Sequence, residues 1–256
     1  MERVIVLDEV HNLRDLGGYA ADGGELRWRR LFRSDGLHRL GGADLHNVRS
    51  LGLRTVLDLR SGPELAEWGR FPVADHPVHF HHLPMVDVTW GHDEGPEPGR
   101  PDWTFLVGKY VEILEVGAVW VARAFHTQAG PGAQPAVFHC AAGTDRTGIL
   151  AALVLSSLGV ADPDVVTDYA LTAAAMARME AWAVATDPEL AAVLASHPRS
   201  HLGAQPEAMA GLLAHIREGH GSVPAYLTTI GVGEAVLGRL RDALVEPTGH
   251  GAGAAA

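Results

Sequence analysis

A short apolar run at residues 136–138 leads directly into a polar stretch and then into the helical pattern of residues 146–158. So short a run is typical of a strand buried in a sheet, and the helix after it packs back over that sheet. The same order occurs earlier, where the apolar residues 53–59 precede a helix start at residues 61–64, with proline in its first turn. This alternation predicts an α/β fold of stacked layers with a mainly parallel sheet.

Other segments have weaker patterns. Further strands are predicted at residues 2–7, 26–33 and 77–83. Further helices are predicted at residues 43–51, 103–128, 162–174, 175–195, 206–218, 222–230 and 233–245. The helical last third has no obvious linker, so we expect one domain over residues 1–246 with a helical C-terminal embellishment. Residues 87–102 are expected to form an exposed loop and residues 247–256 a disordered tail.

Composition and net charge limit the kinds of binding partner that we expect. The chain has 256 residues, of which 47% are hydrophobic, and a net charge of -11. A surface this acidic repels nucleic acid and anionic lipid, so neither is an expected partner. No apolar run approaches the roughly 18 residues of a membrane span, and the N-terminus lacks a signal-peptide pattern. We therefore expect a cytoplasmic protein, with leaderless secretion left open and the oligomeric state not indicated.

The only cysteine, Cys140, lies between the predicted strand and helix of the first pattern. A single cysteine excludes an internal disulfide and a multi-cysteine metal site. Its surroundings set it apart from a buried core cysteine. His139 precedes it, Arg146 follows after five intervening residues, and Thr147-Gly148 comes next.

This spacing suits the binding of a phosphate monoester. A loop of this length can curl so that successive backbone N–H groups face a phosphate dianion, and the helix start adds its positive end. Arg146 closes the ring with a fork that matches two phosphate oxygens. The same electropositive cup favours the thiolate form of Cys140, the predicted nucleophile. The expected substrate-binding residues are small or carry a hydroxyl group: Ala141, Ala142, Gly143, Thr144 and Thr147.

The segment 139–148 resembles the phosphate-binding loop of protein tyrosine phosphatases. It is most similar to that of the bacterial protein tyrosine/serine phosphatase family of the mycobacterial phosphatase B type, which has the run His-Cys-x-x-Gly-Lys-Asp-Arg-Thr-Gly. Weaker similarities to other motifs of that family cover residues 12–18, 31–34, 56–61 and 221–227. The resemblance therefore extends over about residues 10–245.

The resemblance implies a three-layer protein tyrosine phosphatase-like fold with a helical lid at about residues 175–200, where Met176 and Met179 would meet an aromatic substrate. It also implies a phosphomonoester hydrolase that forms a phosphocysteine intermediate and acts on phosphotyrosine proteins or small phosphomonoesters. No metal or other cofactor is expected, because the loop supplies the positive field. Thr144 stands where the family often has a lysine linked to phosphoinositide activity, so weaker use of such lipids is expected.

A leaving alkoxide needs a proton. By the resemblance, Asp145 is the first candidate for the general acid. Asp58 is the second because it ends a strand, and Asp87 is the third. Arg60 is expected to form a salt bridge. Residues expected to support the site are His139, Asn12, Arg14 and Asp15.

Alternative functions remain at this stage. A phosphoinositide, inositol phosphate or dual-specificity phosphatase would use the same loop chemistry. A sulfur-transfer or arsenate-reducing enzyme also uses a loop cysteine, but arsenate reduction normally recruits further thiols. A non-catalytic phosphate-binding module is disfavoured by the presence of both Cys140 and Arg146. The histidines of residues 76–82 do not predict a metal site, because no carboxylate cluster accompanies them.

Overall fold

The computed structural model describes residues 1–87, 99, 101–196 and 203–248. Its strands are β1 (Arg14–Asp15), β2 (Ala20–Ala21), β3 (Gly24–Leu26), β4 (Leu31–Ser34), β5 (Thr55–Asp58), β6 (His79–His82), β7 (Ala136–His139) and β8 (Val245–Pro247). Within these residues the central sheet has the order β1-β4-β7-β5-β6. Its pairs are parallel except for β1 with β4, so the predicted mainly parallel sheet is confirmed.

A second, antiparallel sheet has the order β2-β3-β8. Strand β8 pairs with β3 in the register Leu26 to Val245, and the backbone N–H of Arg27 donates to the carbonyl of Leu244 at 2.7 Å. The C-terminal end of the described chain is thereby held against the N-terminal hairpin.

The helices surround the central sheet. They are α1 (Gly42–Arg49), α2 (Gly62–Trp68), α3 (Asp102–Val116), α4 (Ala118–Gln128), α5 (Asp145–Ser157), α6 (Asp162–Ala170), α7 (Thr172–Thr186), α8 (Pro188–Ser196), α9 (Pro206–His220), α10 (Val223–Thr229) and α11 (Glu234–Leu244). Helix α2 begins as predicted, with a capping box between Ser61 and Glu64 and a proline in its first turn. No helix in the described ranges has the length and apolar character that a bilayer span requires.

Both faces of the central sheet are buried, which gives three layers. Leu57 and Phe138 point to the larger core cluster, which includes residues of α3–α6 and α9–α11. Val56 and Val137 point to the opposite face, where Val48 of α1 belongs to a smaller cluster. Successive strand residues thus alternate between the two apolar layers, as side chains with a period of two must.

Two strand predictions were wrong in detail. Residues 2–7 form no strand beyond an isolated bridge between Val4 and Arg14. The strand predicted at residues 26–33 is divided between β3 and β4, which belong to different sheets. Arg29 lies between them with φ 63°, and this left-handed residue turns the chain from one sheet to the other.

Three predicted helices have different boundaries. The helix predicted at 103–128 ends at Gly117 and restarts as α4, and the one at 162–174 breaks at Leu171. The helix predicted at 175–195 is interrupted at Asp187, whose carboxylate accepts the N–H of Leu190 at 3.0 Å and so caps α8. The loop predicted at 87–102 and the tail at 247–256 fall mostly outside the described residues.

We expect Gly117→Ala to destabilise the protein by about 1–3 kcal/mol, because a side chain there overpacks the junction of α3 and α4. A Cβ at this position would lie 2.6 Å from the carbonyl oxygens of both Ile113 and Met85. The control is Gly108→Ala in α3, where a Cβ would meet nothing within 4 Å. It should stabilise the helix by about 0.5–1 kcal/mol. Urea unfolding measures both, and a shift of the two variants in the same direction would contradict the explanation.

Candidate active site

The loop from Cys140 to Arg146 leaves the carboxyl end of β7, between β4 and β5. Ser34, His139 and Asp58 end these three strands in register, so the residues that follow them meet at one edge of the sheet. Helix α5 begins inside the loop, at Asp145. The predicted strand-loop-helix arrangement is therefore present, at the edge where parallel sheets collect their functional side chains.

Three backbone carbonyl groups of the loop accept hydrogen bonds from residues outside the loop. The carbonyl oxygen of Ala141 accepts the N–H of Gly36 at 2.8 Å, and that of Ala142 accepts the side-chain amide of Asn12 at 3.0 Å. The carbonyl oxygen of Gly143 accepts Nη2 of Arg33 at 2.8 Å. In a planar trans peptide the N–H points opposite to the C=O. The N–H groups of residues 142–144 therefore face away from these supports, into the concave side of the loop.

Only glycine fits at residue 143, because of its backbone conformation and its close neighbours. Its φ is +73°, a conformation in which any side chain is strained. A Cβ there would lie 2.7 Å from the carbonyl oxygen of Ser34 and 2.8 Å from the side-chain nitrogen of Asn12. The loop thus fits against β4 and the Asn12 segment only with glycine at this position.

Arg146 is held by a carboxylate that the sequence analysis did not single out. Its Nη1 and Nη2 donate to Oε2 and Oε1 of Glu64 at 2.5 and 2.9 Å. Burial alone would lower the pKa of Arg146, but the charges of Cys140 and Glu64 outweigh it and raise the pKa above its usual range. Glu64 also accepts the N–H of Ser61 at 2.7 Å, so the start of α2 fixes its position. The guanidinium is therefore charged, oriented and electrostatically coupled to Cys140.

Cys140 is 2% exposed and contacts the larger core cluster. Access to its sulfur is therefore narrow. His139 is fully buried, and its Nδ1 lies 3.1 Å from the carbonyl oxygen of Cys140. Burial lowers the pKa of His139, and the nearby charge of Asp58 opposes that shift. This contact fits the predicted supporting role, since it restrains the backbone of the cysteine.

A buried ion network centred on Asp168 positions the supports of the loop. Its carboxylate accepts Nη1 of Arg33 at 2.7 Å and Nε of Arg14 at 3.2 Å. Burial opposes ionisation of Asp168, but these two arginines lower its pKa to about 2. Burial lowers the pKa of Arg33 to about 10, which leaves it charged at neutral pH. Arg33 then binds the Gly143 carbonyl, and Arg14 donates to the side-chain oxygen of Asn12.

Asp145 is half-buried at the first residue of α5. The hydroxyl of Tyr110 donates to its Oδ1 at 2.6 Å, and the hydroxyl of Tyr169 lies 2.5 Å from that of Tyr110. Burial and the charge of Asp145 raise the pKa of Tyr110 well above its ordinary value, so Tyr110 stays protonated. A Cβ on Gly148 would lie 2.9 Å from the ring of Tyr169, so this glycine leaves room for the tyrosine pair.

Asp58 has a different environment. It is fully buried, and Arg60 donates to its two oxygens from Nε at 2.9 Å and from Nη2 at 2.6 Å, which is the expected salt bridge. Burial alone would raise its pKa, but His139 and Arg60 lower it to about 2. A carboxyl group this acidic is a poor proton donor near neutral pH, which argues against the catalytic role that its strand-end position suggested.

Two other predicted residues make different contacts from those expected. Asp15 accepts the N–H groups of Gly17 and Arg29, each at 2.8 Å, so it stabilises its own turn rather than the phosphate loop. The hydroxyl of Thr147, an expected substrate-binding residue, is buried without a hydrogen-bond partner among the described residues. Asp87 is exposed at the end of a described segment.

Helices α7 and α8 form a small hydrophobic cluster of their own, separate from the two core clusters. It contains Met176, Met179, Ala183 and Leu194. Ala142 of the phosphate loop and Trp182 of α7 pack against it. Nη2 of Arg178 donates to the carbonyl oxygen of His11 at 2.8 Å, and the rings of His11 and Trp182 lie 5.3 Å apart. The two helices thus contact both the phosphate loop and His11, the neighbour of Asn12.

The sequence analysis missed the roles of Glu64, Asp168 and Tyr110. The helix start predicted at residues 61–64 includes Glu64 but gives no sign of its partner, 82 residues away. Asp168 and Tyr110 carry no local signal, because their partners Arg33 and Asp145 are 135 and 35 residues away.

We expect Gly143→Ala to weaken the binding of orthovanadate by about tenfold or more, since one displaced N–H donor costs about 1–3 kcal/mol. The control is Gly219→Ala in α9, where a Cβ would meet nothing within 4 Å. Calorimetric titration of both variants measures the effect. Equal affinities for the two variants would show that the loop tolerates a side chain at residue 143.

Comparison with known proteins shows which family the chain resembles. A family model described as the tyrosine phosphatase family matches residues 5–246. A provisionally named tyrosine-protein phosphatase of Cupriavidus necator is 34% identical, over 87% of this chain and 82% of its own. The triple specificity protein phosphatase PtpB of Mycobacterium tuberculosis is 29% identical, over 91% of this chain and 96% of its own.

Among solved structures, P. aeruginosa TpbA in complex with pTyr matches with a TM-score of 0.34 and 15% identity, over 85% of this chain and 96% of that one. From the match of the family model and the coverage of its relatives, we conclude that the chain belongs to the tyrosine phosphatase family.

Proposed function

We propose that this phosphatase hydrolyses phosphotyrosine in proteins, with Cys140 as the nucleophile and a phosphocysteine intermediate. The observation that carries the proposal is the binding of three successive loop carbonyls by residues outside the loop, which leaves the N–H groups of residues 142–144 facing away from those residues. Arg146, which Glu64 holds in place at the start of α5, completes this set of donors. An arrangement of this kind stabilises the charge on a transferring phosphoryl group.

In the first step the thiolate of Cys140 attacks phosphorus in line with the leaving oxygen. The S–P bond forms as the bond from phosphorus to the leaving oxygen breaks, and the loop N–H groups with Arg146 bind the equatorial oxygens. Asp145 gives its proton to the leaving oxygen. In the second step Asp145 accepts a proton from water, which attacks phosphorus. The S–P bond breaks, and phosphate and the thiolate are released.

Asp145 is the better general acid because its environment differs from that of Asp58. Asp58 is locked in an ion pair with Arg60, whereas Asp145 lies in the loop itself and is half-buried. We assign Tyr110 as a positioning residue, since its hydroxyl fixes the rotation of the Asp145 carboxyl group. Tyr169 supports Tyr110 in turn. Tyr110 uses its one hydroxyl hydrogen in the hydrogen bond to Asp145, so in the short contact between the two hydroxyls Tyr169 must be the donor.

Helices α7 and α8 are proposed to act as a lid. Met176 and Met179 are 3% and 2% exposed, so contact with an aromatic substrate requires these helices to move. A phosphoinositide or dual-specificity activity is the second candidate, because the mycobacterial relative is named a triple specificity phosphatase. Thr144 in place of lysine disfavours multiply phosphorylated lipids. The single domain over residues 1–246 and the cytoplasmic location stay predictions, the former supported by the pairing of β8 with β3.

We expect Cys140→Ser to abolish turnover of p-nitrophenyl phosphate and to leave the affinity for orthovanadate within a few-fold of wild type. The nucleophile is lost, whereas the N–H groups and Arg146 remain. Arg146→Lys is the paired variant and should lose affinity, because lysine has no planar fork. Full activity of Cys140→Ser would rule out the nucleophile assignment. A panel of phosphotyrosine and phosphoserine peptides and phosphoinositides then ranks the substrates.

We expect Tyr110→Phe to lower kcat for phenyl phosphate by about tenfold, a part of the roughly 100-fold or more that a positioned acid contributes. Turnover of p-nitrophenyl phosphate should change far less, because its leaving group needs little protonation. The control is Tyr226→Phe, which removes a buried hydroxyl bonded to the carbonyl of Leu114 at 3.3 Å. Steady-state kinetics with both substrates measures the effect, and an equal loss on the two would reduce Tyr110 to a structural role.

A further inference from the structure

A cleft of about 460 Å³ opens at the edge of the central sheet opposite to the phosphate loop. Three of its lining residues each stand immediately before a strand: Arg30 before β4, Arg54 before β5 and Pro135 before β7. Arg239 of α11 lines it as well. The cleft therefore lies at the amino ends of the strands whose carboxyl ends carry the candidate active site. None of the proposed catalytic residues lines it.

The backbone places two of these arginines on either side of β7. The N–H of Ala136 donates to the carbonyl of Arg30 at 3.0 Å, and the N–H of Arg54 donates to the carbonyl of Pro135 at 2.8 Å. Two strand spacings separate Arg30 from Arg54, which is about 10 Å between their Cα atoms. Nη1 of Arg54 lies 3.6 Å from the position of a Cβ on Gly132, so its guanidinium borders the cleft. Two arginines at this Cα spacing that line the same cleft can contact one small anion between them.

None of these arginines has an acidic partner among the residues that the structure describes. Among the described residues, Arg30, Arg54 and Arg239 form no ion pair, and Nε of Arg30 is buried without a hydrogen-bond partner. Asp242 lines the same cleft but pairs with none of the three. Three arginines and one carboxylate leave a local positive charge, in a chain whose net charge is -11. A buried N–H without a partner is costly, and an acceptor from a ligand would satisfy it.

We propose that this cleft, here called the far-edge site, binds a small oxyanion that carries two or more negative charges, of the class of pyrophosphate or a phosphorylated metabolite. Arginine forks match phosphate oxygens in pairs. The volume falls within the roughly 300–1,000 Å³ of small-ligand sites. The excess of arginines over Asp242 attracts an anion more strongly the more negative charge it carries, so the site favours higher charge. The proposal is independent of the chemistry at Cys140.

Calorimetric titration of the full chain with pyrophosphate tests the site, combined with inhibition of p-nitrophenyl phosphate turnover by the same ion. Wild type should bind pyrophosphate at the far-edge site in addition to any binding at the active site. The variant Arg30→Gln, Arg54→Gln, Arg239→Gln should lose the far-edge binding by about 100-fold or more, while its inhibition constant at the active site stays unchanged. A variant with Arg27→Gln, Arg70→Gln and Arg123→Gln is the matched control, since it removes equal charge at residues that do not line the cleft.

A second variant keeps the test informative if the triple variant does not fold. Asp242→Asn removes the negative charge from the cleft and should tighten pyrophosphate binding several-fold. Pyrophosphate that binds elsewhere on the surface would not respond to this substitution in the cleft. The proposal is overturned if pyrophosphate binds only in competition with orthovanadate, or if the cleft and control variants bind it equally. It is also overturned if Asp242→Asn leaves the affinity unchanged.

Discussion

The carboxylate of Asp168 holds together the parts of this structure on which the candidate active site depends. It pairs with Arg14 and Arg33 away from water, and both arginines act on the phosphate loop, one directly and one through Asn12. Burying these charges costs free energy that their pairing regains only in part, so large net stabilisation is not expected. The network instead supplies orientation. It fixes the groups that bind the loop carbonyls from outside, and the loop N–H groups consequently face inward.

Three carboxylates around the loop differ in their partners, and this difference separates their roles. Glu64 pairs end-on with Arg146 and keeps the guanidinium charged and aligned. Asp58 is enclosed with Arg60 and stays ionised to about pH 2. Asp145 alone of the three is bonded to a tyrosine hydroxyl, at the half-buried start of α5. Environment rather than residue type therefore favours Asp145 as the proposed proton donor.

Much of the fold could be predicted because its signals are local. The apolar runs of β5 and β7, the capping pattern of α2 and the strand-loop-helix order around Cys140 each lie within about twenty residues. The errors came where a single residue changes the course of the chain. Arg29 divides one predicted strand between two sheets, Gly117 divides one predicted helix, and Asp187 caps a helix that the pattern treated as continuous. These breaks depend on packing and capping contacts that apolar periodicity does not record.

The sequence by itself determined the chemistry of the loop: a single cysteine, small residues after it, an arginine at the matching distance and a helix start, all within ten residues. Only the tertiary structure decided which carboxylate binds Arg146, which residues bind the loop carbonyls and which partners surround Asp58 and Asp145. The physical reason is distance along the chain. Glu64, Asp168 and Arg33 meet their partners across 82 to 135 residues, and such contacts exist only once the sheet and helices have packed.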